Sequence, residues 1–82
     1  MRVLFYGLST CGWCRKTKQF LDSNKVEYEL IYVDHLTGDE RQKVMSEVGR
    51  HNPRRSFPTI VVNDTTVIIG FQEARLREVL DL

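Results

Sequence analysis

Short apolar runs alternate along this chain with longer segments in which apolar residues recur at helical spacing. Four of the runs have the length and composition of β-strands. These runs are Val3–Tyr6, Tyr28–Val33, Thr59–Val62 and Thr65–Ile69. Because the second run is nearly all apolar or aromatic, we expect its strand to lie inside the sheet and not at an edge.

The segments between the runs predict three amphipathic helices. In the first, positions i, i+4, i+7, i+8 and i+11 form a mostly apolar stripe that we expect to be buried. This stripe comprises Trp13, Thr17, Phe20, Leu21 and Asn24. The second helix opens at Thr37–Glu40 and is expected to end at Gly49. Its predicted buried face comprises Leu36, Val44, Met45 and Val48, and the third helix is marked by Leu76, Val79 and Leu80.

These elements follow one another in the order βαβαββα. Two strands that flank one helix form a parallel βαβ unit, and Asn63 and Asp64 read as a hairpin turn between the last two strands. The fold class is therefore α/β, with a four-stranded mixed sheet and three helices that cover both faces. With 82 residues, the chain makes one small domain over residues 1–82.

Composition narrows the function classes. A hydrophobic fraction of 41% argues against disorder, and a net charge of +1 gives no overall attraction to nucleic acid or membrane. No apolar stretch approaches the ~20 residues of a membrane span, and the first run, which ends at Gly7, is too short for a signal peptide. We expect a cytoplasmic monomer that binds neither nucleic acid nor membrane.

Both cysteines of the chain lie in Cys11-Gly12-Trp13-Cys14, between the first strand and the first helix. Gly7–Thr10 forms the predicted turn, which puts Cys11 at a helix N-terminus. Unpaired backbone N–H groups and the helix dipole favour a thiolate there. Cys14 follows one turn along, close enough to attack a mixed disulfide on Cys11. The arrangement predicts reversible thiol–disulfide chemistry.

Two other uses of the cysteines fit less well. A zinc site needs about four ligands, and the spacing of His35 and His51 from Cys14 matches no zinc-finger pattern. A static disulfide would close a loop around only two residues, which removes little entropy from the unfolded chain. We therefore predict no metal.

Three landmarks together resemble the glutaredoxin form of the thioredoxin fold over essentially the whole chain. They are Tyr6 before the cysteines, Phe57-Pro58-Thr59 before the third strand, and Gly70-Phe71 after the fourth. The resemblance implies a cis proline at Pro58 that faces the cysteines, and a Phe57 backbone that pairs with an extended substrate. The implied substrate-binding residues are Tyr6, Trp13, Phe57, Pro58, Thr59, Gly70 and Phe71, beside the catalytic Cys11 and Cys14.

The sequence departs from glutaredoxins that use glutathione. Those members commonly carry a lysine before the first cysteine, Pro-Tyr between the cysteines, and Gly-Gly followed by acidic residues after the last strand. This chain has Leu8-Ser9-Thr10, Gly12-Trp13 and Gly70-Phe71-Gln72-Glu73 at those places. The Gly-Phe form is similar to glutaredoxin-like redoxins that donate electrons to ribonucleotide reductase and are recharged by a reductase protein.

The resemblance implies a disulfide-containing protein substrate, ribonucleotide reductase among them, and a reductase protein as the source of electrons. The only redox group is then the Cys11–Cys14 disulfide itself. Two alternatives stay open. Glutathione is an alternative reductant, since Glu73 could meet its amino group. A carrier of an iron–sulfur cluster bridged through Cys11 is less favoured, because Cys14 would compete by forming the disulfide.

Basic residues near the predicted redox site suggest a docking surface. Arg15 and Lys16 lie in the first helical turn, and Arg54 and Arg55 lie in a basic loop that leads to the Phe57-Pro58 landmark. Such charges could attract an acidic partner, or they could be ordinary solvated surface. We expect these four residues to contribute to electrostatic contact with a partner.

Overall fold

The computed structural model describes residues 1–82. Its elements are β1 (Val3–Gly7), α1 (Gly12–Ser23), β2 (Glu29–Tyr32), a short 3₁₀ helix (Val33–His35), α2 (Gly38–His51), β3 (Thr59–Val62), β4 (Thr66–Ile69) and α3 (Glu73–Leu80). The predicted order βαβαββα is confirmed, as is the mixed sheet. Its strand order is β2-β1-β3-β4, with β1 and β2 parallel and the other pairs antiparallel. None of the helices has the length and apolarity that crossing a membrane requires.

The expected internal position of the second strand was wrong. β2 lies at an edge of the sheet, and the internal strands are β1 and β3. Leu30 packs against the core on one face of the sheet and Ile31 against the core on the other, so both faces of β2 are partly covered. The apolar residues of β2 therefore reflect the packing on both of its faces, whereas its outer hydrogen-bonding edge stays free.

Two hydrophobic cores lie on opposite faces of the sheet, because successive side chains of a strand alternate between its faces. Phe5 of β1 packs with Leu21 of α1 and Leu76 of α3, and all three are fully buried. The next residue, Tyr6, packs on the other face with Val48 of α2. Helices therefore cover both faces, as the sequence predicts.

One residue of the predicted buried stripe of α1 lies on the surface. Thr17 and Leu21 are fully buried, but Trp13 is 60% exposed. Cys14 takes the buried place in this first turn and is only 2% exposed. The stripe therefore starts one residue later than predicted, which buries the second cysteine and leaves the indole at the surface.

The second helix does not end at Gly49, as predicted, but continues to His51. Asn52 still donates its backbone N–H to the carbonyl of Val48 (2.7 Å), and it has an extended backbone. Pro53 explains the stop, because a proline disfavours helical conformation in the residue before it. Gly49 has another use: a Cβ at this position would come within 2.7 Å of the Arg55 side chain.

The loop between α2 and β3 is organised by Asn52, whose side chain is almost fully buried. Its Nδ2 donates to the Ser56 carbonyl, the Ser56 hydroxyl and the Thr59 hydroxyl, each at 3.0 Å. Its Oδ1 accepts the backbone N–H of Arg54 at 3.2 Å. One amide thus fixes the basic loop relative to the start of β3. A buried amide left without these bonds would be costly, so the loop shape is strongly specified.

The hairpin between β3 and β4 has the predicted turn. Asn63 and Asp64 both adopt positive φ, 53° and 64°, which matches the mirror-image turn that suits the twist of a hairpin. Asn63 also accepts the backbone N–H of Arg2 through Oδ1 at 2.9 Å. The fourth strand begins at Thr66, one residue later than predicted.

Candidate active site

Strand pairing brings several chain segments to one end of the sheet, where β1 and β2 terminate. β1 and β2 run in parallel, so both end there, with Gly7 opposite Tyr32. β3 is antiparallel to β1 and begins at the same end, where Thr59 pairs with Tyr6. Thr59 also pairs with Ile69, the last residue of β4. The loops at this end of the sheet carry the cysteines, the Phe57-Pro58 pair and Gly70-Phe71.

Cys11 caps the N-terminus of α1. Its backbone N–H donates to the carbonyl of Leu8 (3.2 Å), which closes the turn after β1. Its Sγ accepts the backbone N–H of Cys14 at 3.1 Å. This bond satisfies one of the amides left unpaired at a helix start, and it places a donor against the sulfur. Cys11 is half-buried, and both cysteines are free thiols.

Cys14 lies one helical turn further on, inside the core that contains Phe5 and Leu21. Burial raises the pKa of its thiol to about 12, and the hydrogen bond to Cys11 and the Cys11 charge act in the same direction. A backbone hydrogen bond from Leu8 acts in the opposite direction but does not offset them. In the reduced protein Cys14 is therefore a neutral thiol near physiological pH, and Cys11 is the accessible sulfur.

An aromatic platform, formed by Trp13, Phe71 and Phe20, extends beside Cys11. The rings of Trp13 and Phe71 are stacked at 6.3 Å with an angle of 20°, and Phe20 meets Phe71 edge-on at 5.7 Å. The Nζ of Lys16 lies 5.3 Å from the centre of the Trp13 ring and 5.7 Å from that of Phe71. These distances are within cation–π range, so a positive charge lies over the platform.

The platform borders an open groove of about 290 Å³ between α1 and α3. Glu73 and Arg77 of α3 line it and form an ion pair at 3.3 Å. The guanidinium carbon of Arg77 also lies 5.0 Å from the centre of the Phe20 ring. Sequence reasoning did not single out Phe20 and Arg77 as site residues. The signal that could have found them is their placement on the two helices that flank Phe71.

The peptide bond between Phe57 and Pro58 is cis, as the resemblance implies. Pro58 is buried, and its carbonyl accepts the backbone N–H of Gly70 at 2.8 Å. Phe57 is half-buried, packs against both cores, and has a backbone N–H and carbonyl that make no hydrogen bond within the protein. The structure therefore brings Phe57, Pro58 and Gly70 together at the end of the sheet where β1 delivers the cysteines.

Among the predicted substrate-binding residues, the structure places the side chain of Tyr6 in the core on the α2 face, and Thr59, its partner on β3, is fully buried as well. It is 2% exposed, and its hydroxyl donates to Glu47 on α2 at 3.4 Å. Burial, with the nearby Glu47 carboxylate, raises the pKa of Tyr6. Its side chain packs on the face of the sheet opposite Cys14. Its contacts are those of a core residue, and a role in substrate binding stays a prediction.

The predicted basic residues differ in the contacts that their side chains make within the protein. Arg55 folds back over α2, where its Nε donates to the carbonyl of Met45 at 3.3 Å. Arg54 and Arg15 are exposed, and neither side chain makes a hydrogen bond or an ion pair. Lys16 belongs to the aromatic platform. Of the two loop arginines, which are both exposed, Arg54 is therefore the one whose side chain makes no hydrogen bond within the protein.

Comparison with known proteins gives consistent matches across nearly the whole chain. A family model described as glutaredoxin matches residues 3–67. Methanoredoxin of Methanosarcina acetivorans superposes with a TM-score of 0.95 at 43% identity, over 99% of this chain and 85% of that chain. A glutaredoxin of Methanosarcina mazei Go1 gives 0.92 at 47% identity, over 99% and 79%. An uncharacterized glutaredoxin-like 8.6 kDa protein in the rubredoxin operon of Clostridium pasteurianum is 28% identical over 79 residues, 96% of this chain and 97% of its own length.

The buried Cys14 thiol makes a testable contribution to pH-dependent stability. Its pKa rises from an ordinary value of 9.0 to about 12 on folding, so the stabilisation is complete below about pH 9 and is lost as pH approaches 12. Under reducing conditions, the unfolding free energy of the wild type should fall relative to that of Cys14→Ser as the pH rises from about 8 to about 11. Urea titrations across this range measure it. A difference that does not change with pH would contradict the buried neutral thiol.

Proposed function

Since the chain belongs to the glutaredoxin family and is a thiol–disulfide oxidoreductase, we propose that it reduces disulfides in proteins through Cys11 and Cys14. We further propose that a reductase protein, and not mainly glutathione, returns it to the dithiol form. The observation that carries the proposal is the contrast between the two sulfurs. Cys11 is accessible and faces a helix N-terminus, whereas Cys14 is buried one turn behind it.

The first step uses the accessible sulfur. The Cys11 thiolate attacks one sulfur of the substrate disulfide, a Cys11–substrate disulfide forms, and the other substrate sulfur leaves as a thiolate that takes up a proton. The Cys14 N–H that donates to the Cys11 Sγ supports the negative charge before attack. Cys14 does not compete, because its own thiol keeps its proton at this stage.

The second step depends on a change in the surroundings of Cys14. Both the hydrogen bond to Cys11 and the charge on Cys11 raise the pKa of Cys14. When Cys11 is part of a mixed disulfide, its charge is gone, so that contribution disappears. Cys14 then loses its proton more easily, attacks the Cys11 Sγ and expels the second substrate sulfur. The substrate gains two electrons and two protons, and the protein is left with the Cys11–Cys14 disulfide.

Substrate contact follows from the groups left open beside Cys11. The free N–H and carbonyl of Phe57 can pair with one residue of an extended peptide, as in the addition of a short strand. Trp13, two residues after Cys11, exposes most of its surface and can contact the residues that flank the substrate cysteine. The rigid support of Trp13 by Phe71 limits the side-chain entropy lost on contact.

Three features favour a reductase protein over glutathione. Leu8 occupies the place of the lysine that glutathione-using members commonly carry. Phe71 packs between Trp13 and Phe20, which makes the surface after Gly70 apolar. Glu73, the acidic group that could meet the glutathione amino group, is already paired with Arg77. An apolar platform with the Lys16 charge over its rings suits a protein surface better than a small polar tripeptide.

Substitution of each cysteine should give opposite outcomes. Cys11→Ser should reduce disulfide reduction to background, because the accessible nucleophile is gone. Cys14→Ser should instead accumulate a mixed disulfide between Cys11 and the substrate, because no sulfur remains to resolve it. Non-reducing gels and intact mass spectrometry after reaction with a disulfide peptide measure this. If the two variants behave alike, the assignment of attacking and resolving cysteine is wrong.

The source of electrons can be tested on the oxidised protein. Reduction by glutathione should be slow compared with reduction by a thioredoxin-reductase-type or ferredoxin-linked enzyme at matched driving force. The comparison needs matched potentials because family potentials span from about −270 to about −200 mV. Absorbance-based thiol assays follow the rate. Faster reduction by glutathione under these conditions would contradict the reductase proposal and favour a classical glutaredoxin.

The two loop arginines offer a matched test of electrostatic docking. Arg54→Ser should slow reaction with an acidic protein partner by about twofold to fivefold at low salt, and the loss should shrink as salt approaches and exceeds about 0.1 M. Arg55→Ser, which loses the contact with the Met45 carbonyl, should show a smaller and less salt-dependent change. Stopped-flow kinetics measure both rates.

A small neutral disulfide is the control for both arginine variants. Its reaction should hardly change with Arg54→Ser, because the cysteines and Pro58 are untouched. Equal losses on the two substrates would show that Arg54 supports the loop structure. No loss on either substrate would leave Arg54 as solvated surface, and the docking proposal would be dropped.

A further inference from the structure

A carboxylate outside the known cysteine motif holds the turn that carries Cys11. β1 and β2 are parallel with Gly7 opposite Tyr32. Ser9 lies two residues beyond the first, and Asp34 lies two residues beyond the second. Because the two chains leave the sheet side by side, these residues meet although 25 positions separate them in sequence.

Both carboxylate oxygens of Asp34 are used on Ser9. Oδ1 accepts the Ser9 backbone N–H at 2.9 Å, and Oδ2 accepts the Ser9 hydroxyl. The two bonds lower the pKa of Asp34, so the group is ionised at neutral pH. Hydrogen bonds to an ionised acceptor are stronger than those between neutral groups. The Nε2 of His35 lies 4.0 Å from Oδ2 of this carboxylate, and no lysine or arginine pairs with it.

Ser9 is one of the two central residues of the turn closed by the Cys11 N–H and the Leu8 carbonyl. Its own N–H has no partner in the sheet, so without Asp34 it would be satisfied only by water. The carboxylate therefore fixes the path of the chain between the end of β1 and the cap of α1. That path decides where the Cys11 Sγ lies relative to the helix N-terminus and to Cys14.

We propose that Asp34 is a positioning residue for thiol–disulfide exchange, which acts through Ser9 to hold Cys11 at the N-terminus of α1. Asp34 thus holds the attacking sulfur in place through the two bonds to Ser9. This inference rests on the attacking role of Cys11 in the proposed function.

The test compares rate constants for reduction of a small neutral disulfide. Asp34→Ala should slow the reaction about tenfold, and Ser9→Ala about threefold, because the first loses two charge-assisted hydrogen bonds and the second only one. Ser9→Thr keeps the hydroxyl and should restore a rate close to that of the wild type. The double variant should be no slower than Asp34→Ala alone, because both substitutions remove the same interaction.

Asp22→Ala is the matched control. Asp22 is also a surface carboxylate with two hydrogen bonds, to Lys18 and Tyr28, and it lies eight residues beyond Cys14 on α1. Its removal should lower thermal stability to a degree comparable with Asp34→Ala while the rate stays near that of the wild type. The pair separates a positioning effect from a general loss of stability.

Each outcome is decisive. A wild-type rate in Asp34→Ala, a failure of Ser9→Thr to restore the rate, or losses that multiply in the double variant would overturn the positioning role. If Asp34→Ala does not fold, the contrast between Ser9→Ala and Ser9→Thr still decides the question. An inactive wild type would contradict the proposed function itself, whereas an active wild type with insensitive variants contradicts only this inference.

Discussion

β1 pairs in parallel with β2 and antiparallel with β3, and these two registers assemble the redox site. The parallel pair ends at one end of the sheet, which brings the turn before Cys11 next to the turn that carries Asp34. The antiparallel pair begins β3 at the same end, and the chain that enters it is the cis Phe57–Pro58 segment. Two strand pairings therefore place segments that are distant in sequence around one sulfur.

The different behaviour of the two cysteines follows from one turn of helix. Cys11 precedes the first helical residue and keeps its sulfur at the unpaired amides, whereas Cys14 points into the core beneath the same turn. The end of β1 passes so close that a Cβ on Gly7 would lie 3.1 Å from the Phe5 ring and 3.5 Å from the Cys14 Sγ. A side chain at position 7 would therefore touch Cys14 and crowd the Phe5 ring. In the proposed mechanism, the attacking and the resolving thiol are thus distinguished by burial, not by residue type.

The sequence predicts the features that depend on local spacing and fails where contact between distant segments decides. The four strands, three helices and the left-handed Asn63-Asp64 turn follow from periodicity and turn chemistry. The edge position of β2 does not, since apolar residues report what covers a strand's faces and not what pairs with its edge. Helical periodicity alone puts Trp13 in the buried stripe of α1, whereas its position between the cysteines favours the exposed place that the structure shows. The bond between Ser9 and Asp34 depends on strand register, which no local pattern encodes.

Charge near the redox site is organised locally, so the net charge of +1 describes it poorly. Lys16 is held over the rings of Trp13 and Phe71, and Arg54 stands free in the loop before β3. The acidic groups at this end are engaged: Asp34 by Ser9, and Glu73 by Arg77. Lys16 and Arg54 are thus exposed basic residues without an acidic partner, while the exposed Asp34 carboxylate is bonded to Ser9 in the turn before Cys11. In the proposed function, the basic residues attract an acidic partner and the Asp34 carboxylate places the attacking sulfur.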